Sequence, residues 1–422
     1  MDIPRITNRI IEISLIALLV FTPLARGTVQ VWAVSVAHFI TLVMLTAYLL
    51  GIAANAPLRW ERTPLDLPLI ALFVLAAISS FSSIEVHASV VALMRLANYI
   101  VLYFIIVNTI RQRDQMRRVA YTVMGVGSFL ALFGMIKYLG EISPPWWDYG
   151  IQSKQMAATF GNRNHLAGYM EMAIPITVGL LVAERKGWGK ALCAFSLFSL
   201  CVALTLTLSR AGWISGLFAL GLMLILYLLK TKKKYRGLMV TAVAVTTVVV
   251  LTVLASTPVI ERLETLTHGR DVPNWQSRTA VWAGTIELIR DHPLLGTGPG
   301  TFAIAFTPYR PAGVNARFLN THNDYLHFIS ETGIVTAGII LWVMVAAFWS
   351  GIRKIRETNS RLTLGITLGS LTGIVAIALH SVADFNLHIM ANAVLLVVLA
   401  GLLMSTGSVP SYGKPGSDVR VK

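Results

Sequence analysis

The chain has 422 residues, of which 55% are hydrophobic and only 13% charged, against about 25% charged in an average soluble protein. Its mean hydropathy is +0.68, and its apolar residues fall in blocks of about 17 to 25, the length that crosses a hydrocarbon core of ~30 Å. A water-soluble enzyme is excluded, and the formal charge of +15 reads first as the basic loops of a membrane protein, with no nucleic acid partner expected.

Hydropathy predicts an all-α polytopic membrane protein with about twelve transmembrane helices, near 10–25, 29–53, 67–82, 88–108, 116–139, 166–183, 190–208, 211–229, 238–255, 333–352, 362–382 and 388–404. The first apolar run, Ile10 to Leu24, follows Arg5 and Arg9 but has no small-residue cleavage site behind it, so it is read as a retained span and not a signal peptide. With these spans, 23 of the 35 basic residues fall on one set of loops and ten on the other, with Arg95 and Lys137 inside spans. The richer side is cytoplasmic by the positive-inside rule, which puts both termini there. The organisation expected is nine spans over 1–255, a long outside loop over 256–332, three spans over 333–404 and a disordered cytoplasmic tail over 405–422. Cys193 and Cys201 lie on one predicted helix, about 12 Å apart along its axis, too far for a disulfide.

Polar residues inside spans or just outside them are taken in chain order. Arg95 and Asn98 in the fourth span, and His380 and Asp384 at the outer end of the eleventh, should face protein or a water-filled cavity. Pro144-Pro145-Trp146-Trp147 suits a membrane interface. Asn162-Arg163-Asn164 opens the sixth span, where Asn164 either caps the helix or joins Arg163 as a donor at the outer surface. Arg210 sits in a tight turn after Leu208-Ser209 and is either a snorkelling arginine or a fixed charge at that surface.

The long outside loop holds six arginines and no lysine. Its arginines either pair with the seven acids of the same loop or bind phosphate oxygens in the bidentate manner an ammonium lacks. Arg278 falls in the first turn of a predicted helix running to Ile289, a poor place for a cation but one where backbone N–H groups help to hold an anion. The run Pro293 to Phe302 resembles a phosphate-cradling glycine loop but lacks the P-loop lysine, and is read as a tight connection. His322 is a candidate general base, because an imidazole titrates near neutrality and Asn323 or Asp324 can orient its ring; the alternative is a structural loop histidine. His322 and His327 are five apart, not the four that puts a zinc pair on one helical face, so no metal site is expected.

These motifs together resemble the bacterial O-antigen ligase and O-antigen polymerase superfamily of membrane glycosyltransferases. The resemblance is carried by Gly161 to Gly168, Leu208-Ser209-Arg210, Arg278 to Trp282 with Asp291 to Phe302, and His322 to Leu326 with Glu331-Thr332-Gly333. It implies a GT-C-like helical fold in the bacterial inner membrane, a long periplasmic loop containing short helices, and an active site at the periplasmic face. It also implies metal-independent transfer, without a cofactor, of a glycan from an undecaprenyl-pyrophosphate carrier to an acceptor at the periplasmic face, with membrane lipids as further partners. In ligases the acceptor is a lipid A-core sugar; in polymerases it is a second carrier-linked repeat, and in a further branch a protein.

Carried over residue by residue, the family's pyrophosphate-binding arginines fall on Arg210 and Arg278 and its essential histidine on His322, with Arg163, Asn164, Asn323, Asp324 and Arg95 as supporting candidates. The family usually has proline where Arg163 stands. A ligase is the favoured reading, followed by a polymerase or protein-glycosylating relative. A polytopic transporter or flippase is a lower alternative, disfavoured because the arginines and the histidine gather at one outer face and not around a midplane site.

Overall fold

The computed structural model describes residues 3–54, 61–140, 155–185, 187–231, 237, 272–310 and 317–405, with backbone only for 272–277. Among these the chain is all-helical. Eight helices precede the long loop: α1 (Ile3–Leu24), α2 (Val31–Ala53), α3 (Asp66–Phe81), α4 (Val86–Thr109), α5 (Arg113–Leu139), α6 (Arg163–Ala183), α7 (Gly187–Leu206) and α8 (Arg210–Lys230). Three lie within it, α9 (Val272–Asp291), the single turn α10 (Phe302–Ala305) and α11 (Asp324–Thr332), and three follow it, α12 (Val335–Glu357), α13 (Arg361–His380) and α14 (Met390–Ser405). Nine of the described helices are long and apolar enough to cross a membrane, and α3 and α14 are shorter apolar helices, so the chain is a multi-pass membrane protein. The expected ninth span, 238–255, the Pro144–Trp147 segment and the tail from 406 lie outside the described residues.

Because a bilayer offers no partner to a free backbone group, each span must satisfy its own N–H and C=O groups. The sequence supplies the ends: Glu85, Asn162, Ser209 and Ser360 accept from the first turns of α4, α6, α8 and α13 through their side chains. Within spans, Thr41, Thr177 and Thr205 return their hydroxyls to the carbonyl four residues back.

The centre of the bundle is α6, 94% of whose apolar window is buried. Its main partner is α13, and the contact is made by glycines. Gly365, Gly369 and Gly373 recur every fourth residue, so they line one face of α13. A Cβ on Gly365 would strike the backbone carbonyl of Gly179, and one on Gly179 would strike that of Gly365. Gly369 lies against the carbonyl of Pro175 and the backbone of Ile176. Without a hydrophobic drive between spans in lipid, such backbone contact maximises dispersion.

The end of the bundle where α6 and α8 begin is covered by a cap built from α9, the glycine-rich loop, α10 and α11. The cap has its own small core of Val281, Leu288, Phe302, Ala305 and Phe306. It is tied to the spans by polar contacts: Ser79 donates to the Leu295 carbonyl at 2.6 Å, Ser89 to that of Pro299 at 2.8 Å, and Tyr325 to that of Ala378 at 2.6 Å. In the glycine-rich loop, the N–H of Gly298 bonds the Glu331 carbonyl and that of Phe302 bonds the Glu331 carboxylate. Those donors are spent on the protein, so the run is a connection and not a phosphate cradle. Gly333, at φ +87°, is needed because a side chain there would meet the Leu294 carbonyl.

Candidate active site

Between the start of α6, the α7–α8 turn, α9 and the end of α13 lies a cleft of about 390 Å³. Its polar lining includes Arg163, Asn164, Ser209, Arg210, Ser215 and Arg278, with three arginines from three different helices and, among the described residues, no carboxylate. The rest is apolar: Leu208, Ala211, Ile214 and Phe218 on one stripe of the α7–α8 turn and α8, with Leu379 and Val382 opposite. Ile214 and Phe218 are also largely exposed, so the arginine end of the cleft continues into an exposed apolar stripe of a membrane-spanning helix.

Arg210 is held by a stiff turn. Leu208 takes φ +54°, Thr207 donates to the Leu204 carbonyl at 2.6 Å, and Trp213 Nε1 donates to that same carbonyl at 3.1 Å. Ser209 caps α8 by accepting from Gly212. The guanidinium thus starts from a fixed backbone.

Arg278 donates from Nη1 to the Ala383 carbonyl at 2.8 Å, and its Nη2 stands 3.6 Å from Asp384 Oδ2. Asp384 is the hub of the site. Only 1% of its side chain is exposed, yet Asn164 Nδ2 donates to Oδ2 at 2.5 Å and His322 Nδ1 lies 3.5 Å from Oδ1. Burial works to raise its carboxyl, but the His322 contact and the Arg278 charge hold it well below the usual carboxylate range. His322 itself stands beside the cleft, across Asp384, with φ +54°, a strained backbone of the kind that gathers at functional sites. Phe385 lies edge-on between the rings of His322 and His165, at 4.9 and 4.8 Å.

Several expectations change at this level of detail. The expected orienting partner of His322, Asp324, is engaged elsewhere: its fully buried carboxylate accepts from Ser381 at 2.8 Å and Leu387 N at 3.0 Å, and meets His388 Nδ1 at 2.8 Å. As the first residue of α11 it points away from His322, and Asp384 takes that place. Asn323 is the cap of α11, accepting from Leu326 at 3.0 Å. Asn164 does not cap α6; Asn162 does, which frees the Asn164 amide for Asp384. Arg95 is not among the cleft residues. It lies on α4 within electrostatic reach of His38 and Tyr99, and its Nε is buried without a hydrogen-bond partner.

Beneath the cleft is a contact that sequence reading missed. Glu171 of α6 meets His380 Nδ1 with both carboxylate oxygens, at 3.1 and 3.0 Å, and accepts from Ser215 of α8 at 2.5 Å. The signal was available, since Glu171 is the one acid in the whole of α6, and an ionisable group inside a span is a functional candidate by default.

A search of curated proteins finds no match to the chain. Residues 195–343 match a family model described as O-antigen ligase. That stretch includes Arg210, Arg278 and His322 but neither Asn164 nor Asp384, which join the site only through the fold. Over that stretch, about a third of its length, the chain is similar to the O-antigen ligase family.

Proposed function

We propose that the protein is a ligase-type glycosyltransferase that moves a glycan from undecaprenyl pyrophosphate to a lipid A-core sugar hydroxyl at the periplasmic face of the inner membrane. The observation that carries this reading is the make-up of the cleft: three guanidiniums and, among the described residues, no carboxylate in the lining, continuous with an exposed apolar stripe of α8. An anion with a long apolar tail fits both halves; a soluble nucleotide sugar would use only the first.

In the reaction the bond between the anomeric carbon and the pyrophosphate oxygen breaks as a bond to the acceptor oxygen forms. Negative charge grows on the leaving pyrophosphate, where Arg210 and Arg278, with Arg163 beside them, stabilise it most in the transition state. His322 takes the acceptor's proton. Its Nδ1 faces Asp384 at 3.5 Å, which leaves Nε2 as the basic nitrogen and offsets the charge of the imidazolium that forms. Displacement in one step inverts the anomeric centre. Asp384 links the two halves of the chemistry, because the same carboxylate holds Arg278 through one oxygen and His322 through the other.

The test is transfer by the purified chain in nanodiscs, given carrier-linked glycan and either lipid A-core or a second carrier-linked glycan as acceptor. Label on lipid A-core, lost in Arg210→Ala and Arg278→Ala, is expected. Lengthened carrier-linked chains would replace the ligase by a polymerase, and no product with either acceptor would overturn both.

A further inference from the structure

The buried contact of Glu171, His380 and Ser215 has no place in that chemistry, yet it lies directly behind it. Both members of the pair have no exposed side-chain surface. Placing charge in the interior of a bundle is costly, and well-packed apolar residues usually serve stability as well or better. The network must be judged by what it positions.

It joins three of the four helices that line the cleft, α6, α8 and α13. Glu171 is seven residues, two turns, after Asn164 on the same face of α6. Ser215 is one turn below Ala211, on the wall of α8 that begins at Arg210. His380 ends α13, and its carbonyl accepts from Ala383 N at 2.9 Å and Asp384 N at 3.1 Å. That turn presents both groups that Arg278 touches, the Ala383 carbonyl and the Asp384 carboxylate. The site therefore has two layers: Asn164, Asp384 and Arg278 above, and Glu171, His380 and Ser215 below, with each of α6 and α13 contributing to both.

We propose that Glu171 and His380 are positioning residues: their hydrogen-bonded contact fixes the 380–384 turn against α6, and through Ser215 against α8, so that Arg278 and Arg210 are aimed at one anion. This rests on the reading of the cleft as a pyrophosphate site.

The experiment is a double-mutant cycle on the full chain in nanodiscs, with binding of farnesyl pyrophosphate as the readout. Coupled groups give non-additive losses, whereas general loosening of the bundle adds to any other loss. Glu171→Gln and Arg278→Ala are each expected to weaken binding about tenfold, and the double variant to be within about threefold of Arg278→Ala alone. Should Glu171→Gln not fold, Ser215→Ala in place of it, cycled against Arg210→Ala, carries the same test through α8. A loss in Glu171→Gln that multiplies fully with that of Arg278→Ala, or no loss at all, would overturn the positioning role. If the parent chain does not bind farnesyl pyrophosphate, or Arg278→Ala binds it unchanged, the pyrophosphate reading itself fails.

Discussion

Replacing Asp384 by asparagine keeps the size of the side chain and removes its charge. In the present structure its carboxylate receives Asn164 Nδ2 at 2.5 Å and Phe385 N at 2.9 Å, and faces Arg278 at 3.6 Å and His322 at 3.5 Å. An asparagine has one acceptor oxygen for these donors and turns its own NH₂ toward the others. Two unit charges 3.6 Å apart attract by about 4.6 kcal/mol in an effective dielectric of about 20. Arg278 is 26% exposed, so solvent screening reduces this toward the small values of surface pairs. Stranding a buried partner costs about 3–5 kcal/mol. A loss of about 2–4 kcal/mol of transition-state stabilisation follows, a fall in transfer rate of about 30- to 1,000-fold. The assay is glycan transfer by purified Asp384→Asn in nanodiscs beside the parent and Arg278→Ala. A rate within threefold of the parent, with Arg278→Ala inactive in the same series, would refute the claim that Asp384 organises the site.

Arg278→Lys should raise KM at least about tenfold, because one ammonium cannot serve the Ala383 carbonyl, Asp384 and a phosphate together as the guanidinium fork can; steady-state kinetics on the purified variant check this. Gly365→Val should lower the melting temperature by the equivalent of at least about 1–3 kcal/mol, since its side chain enters the Gly179 backbone, whereas Gly338→Ala on α12, with nothing within 4 Å, should leave it unchanged or slightly raised. Acid should loosen the cap in a defined order. His327 is held below its ordinary range, chiefly by burial and then by the His388 charge, and Glu331 below its own by the His327 contact despite burial. Both groups bind fewer protons folded than unfolded, so their stabilisation is full above about pH 6.5 for His327 and about pH 4.5 for Glu331, and is lost as pH falls below each. A melting temperature that declines below pH 6.5, with that first decline absent in His327→Gln, is the expected result.

Much of the bundle was legible in the sequence because lipid imposes one rule on every span. The helices α1 to α8 and α12 to α14 match the hydropathy blocks, and the arginine-only composition of the outside loop marked Arg278, as the tight turn marked Arg210. What was not legible depends on side-chain direction at helix ends. Asp324 is two residues from His322 and was the natural choice of partner, but Asn323 caps α11 and swings Asp324 into the protein. Asp384 is 62 positions away, and nothing in its neighbourhood announces that the 381–385 turn aims it at the same histidine. The spacing of Gly365, Gly369 and Gly373 was a readable sign of close helix contact, and Glu171 was readable as a lone acid in an apolar span. Their partners, Gly179 and His380, lie too far along the chain to be paired by pattern alone.

The glycine seam between α6 and α13 also bears on motion. Two helices whose backbones touch cannot slide or tilt past one another without a steric collision, so the walls they supply, with Asn164 and Asp384, move as one rigid block. Ser215 ties α8 to the same block through Glu171, so any widening of the cleft to admit the proposed lipid-linked chain, or to release its spent carrier, is left to the cap helix that bears Arg278. Of the two guanidiniums proposed to grip the pyrophosphate, Arg278 alone rides on the movable side, while the carboxylate that orients it stays still. Opening the cleft would therefore part Arg278 from Asp384 and disarm the site in the same movement that unloads it.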